Sequence, residues 1–163
     1  MSNQTRLRFY SEEDFEALQH FELPSEQVMF TALPGETLEA AIQDPNRYPV
    51  VIQSEEGETV GFFVLHLNAD ITSLVNNPKA ILLRALSIDY RKQGKGYATA
   101  AMLQLPTFVR ECFPEVDEIV LAVNARNFTA QRLYLRTGFE DHGLTRLGPI
   151  GMQHIYHFKV ERS

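Results

Sequence analysis

The chain has 163 residues, 44% of them hydrophobic, a net charge of −6 and a pI near 5.4. That length suits one domain spanning 1–163, able to bury roughly 68–70% of the surface its unfolded chain exposes, and the acidic balance argues against a nucleic-acid binder, which carries a basic stripe. A single cysteine, Cys112, excludes an intramolecular disulfide and a thiolate metal cluster, and no stretch approaches the roughly 18 apolar residues of a membrane span.

Residues 1–6 lack the apolar run of a secretory leader, and with the lone cysteine this points to a reducing, cytoplasmic setting. Leu7-Arg8-Phe9-Tyr10 reads as a first strand. Ser11-Glu12-Glu13-Asp14 is the acidic form of a capping box, opening a helix whose apolar stripe is Phe15, Leu18 and Phe21. Thr37 to Gln43 reads as a second helix that stops before Asp44-Pro45. Val50-Val51-Ile52 and Val60 to Leu67 then form a hairpin about Glu55-Glu56-Gly57-Glu58, the second strand apolar on both faces. Asn68 to Lys79 is expected to be a polar loop, and Ile81 to Ile88 another strand.

Tyr97 to Phe113 carries a helical pattern that Pro106 is expected to kink or divide, with Cys112 as a core thiol. Ile119 to Val123 is a buried type of strand. Asn127 to Thr137 is a helix, with Gly138 placed as its left-handed stop. The tail gives two strands around Gly148-Pro149-Ile150-Gly151. The order β-α-α-β-β-β-α-β-α-β-β predicts an α/β (α+β) fold with one mixed sheet, in which residues 81–123 make a right-handed βαβ crossover.

The chemistry is concentrated in Arg91-Lys92-Gln93-Gly94-Lys95-Gly96-Tyr97-Ala98, between a strand and a helix. Two glycines allow a tight turn and a close ligand approach, and the helix start turns unpaired N–H groups and the positive dipole end toward that turn. Arg91, Lys92 and Lys95 add local positive charge in an acidic chain. The segment matches neither GxxxxGK[ST] nor GxGxxG, so neither common nucleotide loop is present. The bland reading of Gly94-Lys95-Gly96 is a plain turn, and that of the stripe Ala130, Leu133, Tyr134, Thr137 is core packing.

Arg91-Lys92-Gln93-Gly94-Lys95-Gly96 fits [RQ]-x-x-G-x-[GA] and resembles the pyrophosphate loop of the GNAT superfamily of N-acetyltransferases. Asn124-Ala125-Arg126-Asn127-Phe128-Thr129-Ala130 and Leu133-Tyr134-Leu135-Arg136-Thr137-Gly138-Phe139 extend the resemblance over about residues 80–140. It implies acetyl-CoA as donor and direct transfer of the acetyl group to a primary amine of a small molecule or peptide. Leu86, Ser87 and Ile88 would lie along the pantetheine arm, in a cleft where the strand ending at Ile88 splays from the one ending at Val123. Lys92 to Ala98 would hold the pyrophosphate, Asn127 would contact the cofactor or cap its helix, and Tyr134 would be the acid for the departing thiolate.

Leu83-Arg84-Ala85-Leu86-Ser87 holds no acid where many family members carry a catalytic carboxylate. Glu22, Glu26, His66 and His154 are the conceivable bases, and His66, His154 and His157 can equally be satisfied strand histidines. A GNAT fold that binds CoA as a sensor or scaffold, without turnover, is the alternative; a nucleotide-binding regulator is disfavoured by both failed motifs. His142, His154 and His157 lack a metal-ligand spacing, so no metal is expected. A homodimer through an exposed sheet edge is expected by family analogy alone.

Overall fold

Alternating and wholly apolar runs form the strands of a computed structural model that describes residues 5–31 and 33–161; residues 1–4, part of the stretch read for a leader, lie outside it. The chain divides into two compact units. The first holds the described residues through His66 together with Arg84–Ala101, and the second holds Leu67–Leu83 and the described residues from Met102 onward.

The first unit opens with β1 (Arg6–Phe9), a 3₁₀ turn (Glu12–Asp14), and helices α1 (Phe15–Gln19), α2 (Ser25–Val28) and α3 (Pro34–Gln43). Strands β2 (Arg47–Gln53) and β3 (Thr59–His66) come next. Its strand order is β1-β2-β3 and then residues 84–88 of β4 (Ala80–Ile88). β1 with β2 and β2 with β3 are antiparallel, with Leu7 opposite Ile52 and Val51 opposite Phe62. Leu18, Phe21, Leu38, Ala41, Val51, Phe62 and Val64 form its core. The Asp14 carboxylate performs the reach-back half of the capping box, accepting the Ser11 N–H at 2.9 Å.

The second unit contains α4 (Ile71–Leu74), the first part of β4, most of α5 (Tyr97–Cys112), β5 (Glu118–Asn124), α6 (Phe128–Arg136), β6 (Glu140–Gly148) and β7 (Gly151–Lys159). Its strand order is β4-β5-β7-β6. β4 runs parallel to β5, from Ala80 opposite Glu118 to Leu82 opposite Val120, and β7 is antiparallel to both its neighbours. A cluster of Ala69, Ile71, Ala80, Leu82, Val120 and Ile155 forms part of its core.

The expected mixed α/β fold is thus observed, with α2 and α4 as additions; α4 falls inside the stretch expected to be a loop. Three local expectations are corrected. Phe15 is exposed, because α1 is a short helix that turns only Leu18 inward and leaves Phe21 to the chain beyond it. Pro106 does not divide α5, whose buried side chains Met102, Leu105 and Val109 anchor it on both sides of the missing N–H. Cys112 is exposed, since Val109 and Phe113 take the inward positions of that last turn. Partial burial and then Glu111 push its thiol pKa up, so it is no activated nucleophile.

Candidate functional site

In the first unit, β4 carries an irregularity that sequence propensity does not announce. Ala85 has φ 61°, a left-handed conformation rare in a strand and costly for a residue with a Cβ. It breaks the two-residue alternation, as a bulge does. Ala85 packs on the core that contains Phe62 and Val64, and Arg84 reaches His66 on that same face of β3. Arg84 and Ala85 therefore share a face although they are neighbours in sequence. Farther on, Ile88 lies on the other face, beside Gly61, where a Cβ would come within 2.7 Å of the Ile88 side chain. Ser87 returns to the face of Ala85, and its buried hydroxyl has no hydrogen-bond partner among the described residues.

Asp89, buried at the end of β4, organises the turn that leads to α5. Its N–H donates to the Val60 carbonyl (3.0 Å) and its carbonyl accepts the Lys92 N–H (2.7 Å). Its carboxylate accepts the Glu22 N–H at 3.2 Å and the Arg91 guanidinium at 2.8 and 3.4 Å. Arg91 also donates to the His20 carbonyl (3.0 Å), and the Tyr90 N–H to the Glu22 carbonyl (2.7 Å). Pairing with Asp89 raises the pKa of Arg91 further. Gln93 donates to the Ile88 carbonyl at 2.8 Å and exchanges amide hydrogen bonds with Gln27.

Beyond Gln93 the backbone opens. Gly94 (φ 78°) and Gly96 (φ 85°) adopt conformations that favour glycine, and a Cβ at either would meet open space. The N–H groups of Gly94, Lys95, Gly96, Tyr97 and Ala98 make no hydrogen bond among the described residues. This row of donors continues into the first turn of α5, where the helix dipole adds positive potential. Of the three expected cations, Arg91 is paired with Asp89 and Lys92 with Glu58 at 3.0 Å, while Lys95 stands exposed beside the donors. The open stretch also fits the pattern in a second frame, Gln93-Gly94-Lys95-Gly96-Tyr97-Ala98, two residues later than the frame that begins at Arg91.

In the second unit, Asn127 caps α6, its side-chain oxygen accepting the Ala130 N–H at 3.3 Å. Asn124 at the end of β5 accepts the Arg126 N–H, and its carbonyl receives Gln131, both at 2.9 Å. Tyr134 is buried, edge-on to Phe139 at 5.6 Å between centroids, and burial alone pushes its pKa well above the ordinary tyrosine value. Gly138 (φ 108°) ends the helix, and a Cβ there would lie 2.8 Å from the Phe158 ring.

The sequence pattern of the acetyltransferase (GNAT) family matches residues 8–139. The chain belongs to that family. It is 46% identical over 158 residues to the uncharacterized N-acetyltransferase YbbJ of Bacillus subtilis (strain 168), covering 96% of this chain and 98% of the relative. It is 27% identical over 122 residues to the L-2,4-diaminobutyric acid acetyltransferase of Virgibacillus pantothenticus, 61% of this chain and 72% of that one. Among solved structures, the aminoglycoside acetyltransferase AAC(6')-Ib in complex with coenzyme A and kanamycin shares the fold at TM-score 0.76 and 20% identity, over 96% of this chain and 95% of that one. As a GNAT enzyme, the protein is an acetyl-CoA-dependent N-acetyltransferase.

The chain's own residues fit that donor: five adjoining N–H groups, two glycines in left-handed conformation and the exposed Lys95 suit a pyrophosphate. Asp89 and Gln27 shape the donor loop and were missed by sequence reasoning. Gln27 meets Gln93, and Asp89 meets the Glu22 N–H, from more than 60 positions away, and only Asp89, an acid beside a run of cations, left a local signal. Among the described residues, no group of three His, Cys, Asp or Glu side chains could hold a metal ion, and no helix is long and apolar enough to cross a membrane.

Proposed function

We propose that this GNAT enzyme acetylates a primary amine on a small molecule or peptide, with Gly94 to Ala98 as the pyrophosphate cradle. The observation that carries the assignment is the row of five N–H groups without acceptors among the described residues. When bound, acetyl-CoA supplies a thioester carbonyl to which the amine nitrogen bonds as the C–S bond breaks. Leu86, Ser87 and Ile88 offer backbone along which the acyl arm would lie, although Gln93 already holds the Ile88 carbonyl. Arg91 and Gln93 shape the loop, Lys92 and Lys95 supply charge, and Asn127 fixes the start of α6.

Tyr134 is assigned as hydrogen-bond donor to the leaving sulfur, because burial keeps its phenol protonated at neutral and mildly basic pH. His66 is set aside as base: its Nδ1 accepts from Arg84 at 3.2 Å, leaving the proton on Nε2, which faces Asp44 at 3.8 Å. A lysine-like amine, with a pKa near 10.4, must still lose its proton, to Glu22, Glu26, His154 or solvent. A reducing cytoplasmic setting and a homodimer through a sheet edge belong to the same reading; the free Cys112 and the edge strand β6 are compatible with them.

Thermal unfolding with acetyl-CoA, against ATP and NAD, tests the donor. Saturation at 100 times Kd stabilises by about 2.7 kcal/mol, a rise of roughly 5–10 °C for this size. No shift would sink the assignment. A shift without product across a broad amine panel would leave a CoA-binding sensor instead.

A further inference from the structure

We infer that His154 is the general base of the transfer, taking a proton from the substrate ammonium. The inference rests on the acetyl-transfer reading above and selects one of the proton acceptors named there. Of the chain's five histidines, the other four have a ring nitrogen engaged. His20 meets the Glu16 carbonyl at 2.7 Å, His66 meets Arg84 at 3.2 Å, His142 meets Glu140 at 3.0 Å and His157 meets Glu118 at 2.8 Å. The His154 ring makes no hydrogen bond among the described residues. It is half-buried, and neither of its nitrogens is sealed from solvent.

Two features hold this ring without using its nitrogens. Tyr156 stands two residues on, along a strand in unbroken register with β5, so both side chains share one face. Their rings stack with centroids 6.3 Å apart and planes 16° from parallel. The start of β7 is also fastened to the end of β5. The Met152 carbonyl accepts the Ala125 N–H at 2.9 Å, and the Ile150 carbonyl accepts Asn124 at 3.4 Å and Arg126 at 3.1 Å. His154 lies opposite Val123, beside this fastening. A ring placed by stacking and backbone keeps both nitrogens for a ligand.

The same face carries Tyr134. Phe158, four residues beyond His154 and so on its face, packs on Phe139, which meets the Tyr134 ring. Toward its other end α6 is fixed by Gln131, which donates to the carbonyl of Asn124, the residue opposite Gln153. Tyr134 is three residues past Gln131, about 4.5 Å along the helix. The assigned acid and the base therefore lie over neighbouring stretches of β5 and β7.

The neighbours of His154 across the sheet, Thr145 and Val123, are uncharged. The charged groups on the surrounding elements are Asp141 and Arg146 on β6, Arg126 before α6, and Arg132 and Arg136 on it. Arg146 is bonded to Gln153 and Arg126 to the Ile150 carbonyl, while Asp141 stands opposite Tyr156. Burial and then Asp141 raise the pKa of Tyr156, so the ring stacked on His154 stays neutral. An imidazole is the side chain best matched to proton transfer near neutral pH. His154 takes one proton from the ammonium and passes it to solvent. The amine nitrogen then bonds the acyl carbon as the C–S bond breaks, and its second proton replaces the one Tyr134 gives to sulfur.

The experiment uses a broad panel of primary amines that includes putrescine, cadaverine and lysine, with the acetyl-CoA thermal shift followed in parallel. In His154→Gln the Tm and the acetyl-CoA shift should stay, because the ring has no hydrogen bond to lose. At pH 7 kcat should fall by about 10²- to 10⁴-fold, the range of a lost general base. That deficit should shrink as the pH rises toward a lysine-like amine's pKa near 10.4, where the amine sheds its proton unaided. In His154→Ala, added imidazole should restore part of the rate, which a merely structural ring would not allow. Loss of the acetyl-CoA shift in the wild type, or no product from any amine, would sink the acetyl-transfer reading and this inference with it. Product formation with an unchanged rate in His154→Gln would overturn this inference alone. So would a deficit indifferent to both pH and imidazole.

Discussion

The side-chain amides of Gln27 and Gln93, 66 positions apart, exchange two hydrogen bonds of 3.1 and 2.9 Å. Gln93 at the same time donates to the last carbonyl of β4. Segment 20–27 and the donor loop are thereby tied at three points, through Gln27, through the Glu22 backbone and through the His20 carbonyl. Gln27→Ala removes one tie and leaves the Gln93 amide with only its bond to the Ile88 carbonyl. The expected outcome is a weakening of acetyl-CoA binding by about two- to tenfold with little loss of stability, since an exposed or half-buried hydrogen bond is worth about 0.5–1.5 kcal/mol. Titration calorimetry with acetyl-CoA checks it, and unchanged affinity would mean that the amide pair is incidental.

Asp89 does more, because one carboxylate serves both Glu22 and Arg91. Asp89→Ala leaves the Glu22 N–H without its acceptor and the Arg91 guanidinium with only its bond to the His20 carbonyl. A stability loss of about 1–3 kcal/mol is expected from the unmet donor, or roughly 2–10 °C in Tm. Acetyl-CoA affinity should fall at least tenfold, beyond what partial unfolding accounts for. Measuring Kd well below the midpoint of unfolding separates the two effects. Full affinity at that temperature would show that the loop holds its shape without this carboxylate.

Gly96 is the position where backbone conformation alone is at stake. No atom lies within 4 Å of a Cβ placed there, so Gly96→Ala meets no clash, and its cost is the left-handed φ of 85°. That strain is about 1–2 kcal/mol. A loop that relaxes to a negative φ turns its N–H groups away from one another. Expected is a small drop in the Tm of the free protein and a much smaller acetyl-CoA shift. A full shift would indicate that the five N–H groups are not the cradle.

These cases show which parts the chain's own spelling makes legible and which it does not. Strand-turn-helix and the Gly94-Lys95-Gly96 turn are readable because local conformation dictates them, as is the stop at Gly138. The frame of the loop is less so. Arg91 and Gln93 satisfy the same pattern, and only long-range partners, Asp89 for one and Ile88 for the other, separate their roles. The bulge at Ala85 is invisible in the sequence because alanine has no preference for left-handed φ; packing against the core imposes it. Phe15 is misplaced by its pattern for a related reason: periodicity assumes a longer helix than α1 proves to be.

Asp14 supplies a pH test of the fold that is independent of catalysis. Burial alone would raise its carboxyl pKa, but the Arg8 guanidinium at 2.7 and 2.8 Å, the Ser11 N–H and the Thr59 hydroxyl together outweigh burial and hold it below the ordinary value. A depressed carboxyl contributes stability that is present above its unfolded pKa of about 3.9 and is lost as pH falls through the folded value. Asp14→Asn should therefore cost about 1–3 kcal/mol at pH 7, less than a fully buried pair because Arg8 is one-third exposed. The gap to wild type should close in strong acid. Urea unfolding of both proteins at pH 7 and across pH 2–4 checks this, and a gap that stays constant with pH would remove the ion pair as its cause.

Tyr134→Phe keeps the ring that packs on Phe139 and removes only the hydroxyl. The folded protein and its acetyl-CoA shift should remain, while kcat falls by about 10²- to 10⁴-fold, the range of a lost proton donor. Because burial raises the phenol's pKa, the wild-type rate should show no basic limb near pH 10 from this group. The loss in Tyr134→Phe should also shrink with an acyl donor whose thiol is a better leaving group, since such a thiolate needs less help. An aryl thioester that cuts the wild-type to variant ratio supports the donor role. A ratio indifferent to the leaving group would return Tyr134 to the core, as a ring that packs on Phe139 and does no chemistry.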